Sequence, residues 1–284
     1  MEVVKDFKDY EIIDASNGMK YERWNNIYLL RPDPLIIWEN KNMKIDKLDA
    51  TYIRSNKGGG YWDNNNLNIF QVTYKDLKFN LKQMGFKHTG LFPEQAVNWN
   101  LIREKIKNSK REINVLNLFA YTGGASIACL KENASVVHVD SSRGMVEWAK
   151  ENVKLNNLED KPIRFIVDDC LKFVKREIRR GNKYDAIIMD PPSYGKGANG
   201  EIWSLEKNLF ELIYLCQELL SDNPLLFLVN SYSGLSPKII ENVLKITNSR
   251  NNAKITSDEI GLPITNNKLI LPCGIRGLIE YEWY

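Results

Sequence analysis

Cysteine and histidine are scarce in this chain, and their scarcity removes several kinds of site at once. There are four cysteines (Cys129, Cys170, Cys216, Cys273), none in a CxxC pair, and two histidines. A zinc site needs clustered thiol or imidazole ligands, and a disulfide framework needs a dense set of cysteines, so neither is expected and no metal is called for. Scattered cysteines fit a reducing cytoplasm. No apolar run approaches the ~18 residues that signal a membrane span. The opening MEVVKDFKDY has no cationic segment followed by an apolar one, so no secretory leader is expected. There is no internal repeat and no low-complexity tract.

What is present reads as a globular protein. Apolar residues make up 43% and charged residues 26%, which allows an ordinary core. A length of 284 residues suits one large domain with a small one. The net charge of +3 permits a nucleic-acid partner without requiring it.

Residues 1–84 read as a β-rich extension. NNIYLLRP and PLIIWEN carry apolar stretches around a Pro-Asp-Pro turn, DATYIRS is rich in β-formers, and SNKGGGYWDNNN (55–66) is loop. LNIFQVTYKDLKFNLKQM (67–84) alternates on two arms around Lys75–Asp76, as a hairpin does. From about residue 93 the rhythm changes. Pro93 stands at a helix start, with Val97, Leu101, Ile102 and Ile106 at helical spacing. Strands are expected at 113–119, 135–140, 163–169, 184–190 and 224–230, and helices at 124–133, 143–156, 170–180 and 202–220. AKITSDEIGL and IRGLIEYEWY offer two closing strands. Strand–helix alternation of this kind implies an α/β domain over 85–284 with a doubly wound parallel sheet, whose ligands lie at the carboxyl edge of the strands.

Four strand ends carry the chemistry. After the first, Phe119-Ala120-Tyr121-Thr122-Gly123-Gly124 turns into a helix. Glycine lets a ligand approach the backbone and the helix start offers N–H groups, although a tight turn alone would use the same residues. The stretch lacks GxGxxG, which counts against a standard NAD site. Asp140 ends the second strand and is suited to a ribose diol or to capping the next helix, with Ser141 as the alternative cap. Asp168-Asp169 end the third, where a carboxylate suits an adenine amino group and the Cys170 backbone N–H suits a ring nitrogen; helix capping is the structural alternative. The fourth ends IIMDPPSYG (187–195). Each proline fixes φ and removes a donor, so this corner is stiff and is expected to present carbonyls outward. Asp190 and the Pro191 carbonyl suit an amino group or ring edge, and Tyr194 suits stacking on an extruded base.

With LNLFAYTGG (116–124), VDSS (139–142), Asn152 with Asn156-Asn157, Asp168-Asp169 and DPPSY (190–194), the chain resembles the class I S-adenosylmethionine (SAM)-dependent methyltransferases. More narrowly it is similar to the bacterial family that includes 23S rRNA cytosine-C5 and guanine-N7 methyltransferases. GFKHTGLFPEQ (85–95) resembles that family's segment ahead of the SAM domain. The resemblance covers about residues 70–240. It implies a Rossmann-like, mostly parallel seven-stranded sheet, SAM as cofactor, and an RNA substrate, ribosomal RNA first. It also implies SAM contacts at Phe119, Tyr121, Gly123, Asp140, Asp169 and Asp190, with Thr89, Phe92 and Gln95 closing over the cofactor.

The chain departs from the family at one place. Cytosine-C5 members carry a nucleophilic cysteine after the fifth strand, where this chain reads Asn230-Ser231-Tyr232-Ser233-Gly234. A phenol near pKa 10 is a poor substitute for a thiolate. Cys129 and Cys216 fall inside expected helices, and Cys273 in LPCGIRG is left as the one cysteine that glycine-flanked turns could bring to the ligand edge. Direct SN2-like transfer without a cysteine adduct is therefore expected, with Asp190, Pro191 and Tyr194 handling the acceptor. The basic run 172–183 reads as a solvated helix face, and Lys57, Tyr61 and Trp62 as either a substrate lip or a plain turn. Two alternatives stay open: a methyltransferase acting on a small molecule or protein, and a catalytically silent SAM- or RNA-binding module.

Overall fold

The computed structural model describes residues 1–197, 199–232 and 234–282. The chain divides into two units, one formed by 1–97 with 260–273, the other by 98–259 with 274–284.

The first unit is β-rich. Its strands are β1 (Glu2–Val3), β2 (Tyr10–Ser16), β3 (Met19–Trp24), β4 (Ile27–Pro32), β5 (Ala50–Arg54), β6 (Gly60–Trp62), β7 (Phe70–Tyr74) and β8 (Leu77–Leu81). β2 to β6 form one sheet in chain order, and β7 pairs with β8 as a separate hairpin. Asn17-Gly18 turns β2 into β3 with both residues at positive φ (49° and 76°), the geometry that two-residue hairpin loops favour. The expected 67–84 hairpin forms, turning at Lys75 (φ 53°). PLIIWEN, by contrast, makes no strand. Trp24, Leu29, Tyr74 and Phe79 fill the core. Beside them lies a buried ion pair, Arg31 Nε donating to Glu22 Oε2 at 2.6 Å, with the Tyr10 hydroxyl donating to Glu22 Oε1 at 2.7 Å.

The second unit begins within α1 (Ala96–Ser109) and then alternates: β9 (Asn114–Leu118), α2 (Gly124–Lys131), β10 (Ser135–Asp140), α3 (Arg143–Leu155), β11 (Ile163–Val167), α4 (Cys170–Arg180), β12 (Ala186–Met189). A short hairpin follows, β13 (Tyr194–Lys196) and β14 (Ile202–Ser204), then α5 (Leu205–Gln217), β15 (Leu226–Ser231), α6 (Pro237–Thr247), β16 (Ala253–Pro263) and β17 (Ile270–Tyr281). The 260–263 and 270–273 ends of the last two strands belong to the first unit, where Glu2 and Val3 pair with Ile260 and Gly261. The strand order is β1-β16-β17-β15-β12-β9-β10-β11. β15, β12, β9, β10 and β11 run parallel, and β17 lies antiparallel to β15. The seven strands from β16 to β11 are the expected doubly wound, mostly parallel sheet, and the two-residue β1 adds an eighth at its edge.

Alternation along each strand assigns the two faces. Leu116, Leu118, Val139, Ile187, Met189, Phe227 and Val229 join α4, α5 and α6 in one continuous core. Asn117 and His138 point the other way and meet Ser126 of α2. One expected helix is shorter than its apolar spacing implied. Residues 202–204 are strand β14, and α5 starts only at Leu205. The expected closing strand 275–284 forms as part of β17, and Trp283 and Tyr284 lie outside the described residues.

Among the described residues no helix is long and apolar enough to cross a membrane.

Candidate active site at the carboxyl edge of the sheet

The turn after β9 is held in an unusual shape. Phe119 (φ 52°), Tyr121 (φ 53°) and Gly123 (φ 94°) all lie in the left-handed region. For a residue with a Cβ that costs about 1–2 kcal/mol, so the surroundings must compensate. They do so through the backbone. Phe119 N–H donates to Cys170 Sγ (3.3 Å), Ala120 N–H to Val139 O (3.0 Å) and Tyr121 N–H to Asp140 Oδ2 (2.9 Å). From α3, the buried Asn152 amide donates to Thr122 O (3.0 Å), and Asn156 in turn donates to Asn152 O (2.8 Å).

The two glycines have separate reasons. Gly123 supplies a positive φ, and a Cβ there would lie 3.2 Å from Ala149 Cβ. Gly124 is demanded by packing, because its Cβ would lie 3.0–3.2 Å from the Trp99 indole.

Asp140, at the end of β10, accepts from Tyr121 N–H on one oxygen and from Ser142 N–H (2.9 Å) on the other. It therefore braces the turn, and each oxygen keeps a second lone pair. Burial raises its pKa, against which the two backbone donors work. The cap of α3 is Ser142, whose hydroxyl accepts from Met145 N–H, rather than Ser141. At the end of β11 the two acids divide the work. Asp168 pairs with Arg176 and accepts from Asp169 N–H (2.9 Å). Asp169 caps α4 by accepting from Lys172 N–H (2.9 Å), and its second oxygen makes no hydrogen bond among the described residues. The Cys170 thiol is buried beneath the turn, and burial pushes it well above its ordinary pKa.

At β12, Asp190 N–H donates to Leu118 O (3.3 Å), tying the Asp-Pro-Pro corner to β9. The expectation of outward carbonyls needs correction. The Pro192 carbonyl accepts from Trp203 Nε1 (2.6 Å) and the Ser193 carbonyl from Leu205 N–H (2.9 Å), so both are committed inward. The Pro191 carbonyl makes no hydrogen bond among the described residues. Trp203 also packs against Phe119, ring centroids 4.9 Å apart. Tyr194 is 58% exposed, which leaves its ring open to a partner. From the end of β15, the Tyr232 hydroxyl donates to Asp190 Oδ2 (3.3 Å). Ser233, in the same corner, lies outside the described residues. The β9, β10, β11, β12 and β15 ends thus bring Phe119, Tyr121, Gly123, Asp140, Asp169, Cys170, Asp190, Pro191, Tyr194 and Tyr232 to one edge.

Thr89, Phe92 and Gln95 belong to the first unit. Thr89 is fully buried, with no hydrogen-bond partner for its hydroxyl among the described residues. Phe92 meets His88 edge-on at 5.1 Å, and Gln95 closes a short 3-10 turn on Phe92 O. Cys273 lies within the continuous strand β17, not in a turn; its thiol donates to Leu271 O (3.3 Å), and burial raises its pKa well above the ordinary value. Cys129 and Cys216 are buried core residues with raised thiols as well. The basic run on α4 is largely ion-paired: Lys172 with Glu201, Lys175 with Glu211, Arg180 with Glu177. Trp62 is core, donating from Nε1 to Met84 O (3.0 Å), while Lys57 and Tyr61 are exposed. Among the described residues no cluster of three or more His, Cys, Asp or Glu side chains could hold a metal ion.

Sequence reasoning missed a polar network under the turn. Asn117 Nδ2 donates to Ser126 Oγ (2.9 Å), and Ser126 Oγ shares a hydrogen bond with His138 Nδ1 (3.0 Å). All three are buried, and burial lowers the His138 pKa to about 3, so the ring is neutral. The available signal was a polar residue inside the apolar run of each strand, Asn117 between Leu116 and Leu118 and His138 between Val137 and Val139.

Comparison with known proteins gives the family. A family model described as S-adenosylmethionine-dependent methyltransferase matches residues 38–243. A crystal structure of a SAM-dependent methyltransferase from Agrobacterium tumefaciens superposes with a TM-score of 0.93 at 30% identity, covering 99% of this chain and 93% of that one. A methyltransferase structure from Streptococcus mutans, at 18% identity and TM-score 0.75, covers 97% of this chain and 76% of its own and shares the fold. The chain belongs to the SAM-dependent methyltransferase family. Among curated proteins it is similar to ribosomal RNA large subunit methyltransferase K/L of Shewanella frigidimarina (37% identity over 156 residues, 54% of this chain and 21% of that protein). It is likewise similar to the protein of that name in Pseudoalteromonas atlantica (37% over 147 residues, 51% and 20%). The chain thus spans about a fifth of the length of these curated relatives.

Proposed function

We propose that this methyltransferase modifies a nitrogen of a base in structured RNA, ribosomal RNA first, by direct displacement and without a covalent enzyme–base intermediate. The observation that carries the reading is the acceptor corner. It offers a carboxylate, Asp190, with the Pro191 carbonyl beside it, and has a phenol, Tyr232, where a nucleophilic thiol would stand. Acceptors of this kind hold the hydrogens of an amino group, whereas attack on a ring carbon needs a thiolate. The relatives named as ribosomal RNA methyltransferases support RNA as the substrate, and such a substrate sits in the cytoplasm.

The residues present fit SAM. Gly123 gives the turn its left-handed φ of 94°, Asp140 has lone pairs left for a ribose diol, and Asp169 has a spare oxygen for an adenine amino group beside the Cys170 backbone. Phe119 and Tyr121 shape the turn that would receive the cofactor, and Asp190 borders it. When bound, SAM supplies an electrophilic methyl on its sulfonium. The chain's own contribution is alignment. Asp190 and Pro191 O orient the nitrogen, Tyr194 stacks on the base, and the Trp203–Phe119 packing keeps the corner rigid and dry, which is the form catalysis by proximity requires.

The test is tritiated-methyl transfer onto RNA from cells lacking the protein, followed by nucleoside mass spectrometry. A methylated purine or pyrimidine nitrogen is expected. Label on ring carbon, or in protein, or transfer that survives ribonuclease, contradicts the reading.

A further inference from the structure

The β13–β14 hairpin follows the Asp-Pro-Pro corner directly, and its register sorts its side chains. Tyr194 pairs with Ser204, Gly195 with Trp203, and Lys196 with Ile202. Directly opposed residues in an antiparallel pair share a face, so Gly195 and Trp203 form one face and Tyr194, Lys196 and Ile202 the other. Exposure agrees. Trp203 is buried, whereas Tyr194 and Ile202 are 58% and 64% exposed and Lys196 is exposed. The inward face is anchored by Trp203, through its bond to Pro192 O and its packing on Phe119. At the tip, Glu201 is neutralised by Lys172 and accepts from Asn199 N–H (3.0 Å), while Lys196 makes no ion pair among the described residues. The outward face therefore carries an aromatic ring, an alkyl surface and an uncompensated cation beside the acceptor corner. Tyr194 and Lys196 stand about 6.8 Å apart along the strand, close to the step between successive nucleotides in an extended single strand.

Resting on the RNA reading above, we propose that this hairpin is the acceptor-recognition element. It takes a single-stranded RNA segment with one base against Tyr194 and Ile202 and the adjoining phosphate at Lys196. Stacking on an aromatic and pairing of a phosphate with a cation are the two contacts that single-stranded RNA offers regardless of sequence.

The test measures binding of unmodified 23S rRNA, transcribed in vitro, to Lys196→Glu and Ile202→Asp variants by filter retention, with SAM affinity by calorimetry alongside. The charge-matched control is Lys154→Glu, an exposed lysine near the end of α3. Lys196→Glu and Ile202→Asp are each expected to weaken RNA binding at least tenfold, and the control less than threefold. SAM affinity should stay within twofold throughout, which shows that the variants are folded. Lys196→Ala should flatten the slope of log affinity against log salt by about one phosphate's share. Variants that bind the transcript as the unaltered protein does, or a control that loses as much as Lys196→Glu, overturn the hairpin assignment alone. An unaltered protein that binds SAM but no RNA overturns this assignment together with the RNA reading.

Discussion

Asp140→Ala should remove both the brace of the turn and the proposed ribose contact. The carboxylate braces the turn by accepting from Tyr121 N–H and Ser142 N–H, both at 2.9 Å, and is proposed to receive the two ribose hydroxyls of SAM on its remaining lone pairs. A hydrogen bond to a charged group is worth about 1.5–3 kcal/mol. Losing two from the ligand therefore costs about 3 kcal/mol at the low end, and 1.4 kcal/mol is tenfold, so the dissociation constant for SAM should rise about 100-fold. Part of the cost also falls on the fold, since Tyr121 N–H loses its acceptor. The loss of a carboxylate that burial penalises works in the opposite direction. Calorimetry with SAM, checked by circular dichroism for intact structure, reads the effect. The pH dependence supplies an independent check. Burial raises the Asp140 pKa, so protonation begins at a higher pH than for an ordinary aspartate. In the unaltered protein SAM affinity should fall as pH drops through the upper carboxylate range, and the Ala variant should lack that limb. Equal affinity in the two proteins at neutral pH would refute the ribose contact.

Three further outcomes follow from the same geometry. Asp190→Ala should leave SAM affinity within threefold and lower turnover on the true acceptor at least tenfold; unchanged turnover removes Asp190 from the acceptor corner. Gly123→Ala forces a Cβ onto φ 94° and within 3.2 Å of Ala149, and should cost about 2 kcal/mol in denaturant unfolding while weakening SAM. His138 has a folded pKa of about 3 against an ordinary 6.5, so the unfolded chain binds the extra proton first. Its contribution to stability is present above pH 6.5 and is lost as pH falls toward 3, at about 1.4 kcal/mol per pH unit. His138→Gln should show a shallower acid limb in urea titrations, and an identical limb would show that the ring is not buried neutral.

The parallel sheet was legible because apolar strands alternating with amphipathic helices leave few other arrangements. The strand ends were legible because Asp140, Asp169 and Asp190 each close an apolar run. What escaped depends on partners distant in sequence. Residues 202–204 carry apolar spacing that continues into α5, and only pairing with Tyr194–Lys196 makes them strand. The inward turn of the Pro192 carbonyl depends on Trp203, eleven residues on. Gly124 reads as a ligand glycine, yet the Trp99 indole explains it. Asn117 and His138 look like blemishes in apolar strands until Ser126 brings them together. The suspicion attached to Cys273 dissolves for a related reason: its glycine neighbours sit inside a continuous strand, not in turns.

In the proposed arrangement SAM lies over the β9–β12 carboxyl edge, against Gly123 and Asp140. A crystal structure with S-adenosylhomocysteine tests it most directly. The ribose is expected on Asp140, the adenine at Asp169 and Cys170, and the sulfur toward Asp190. Product bound elsewhere, or that edge filled by packed side chains, would contradict it.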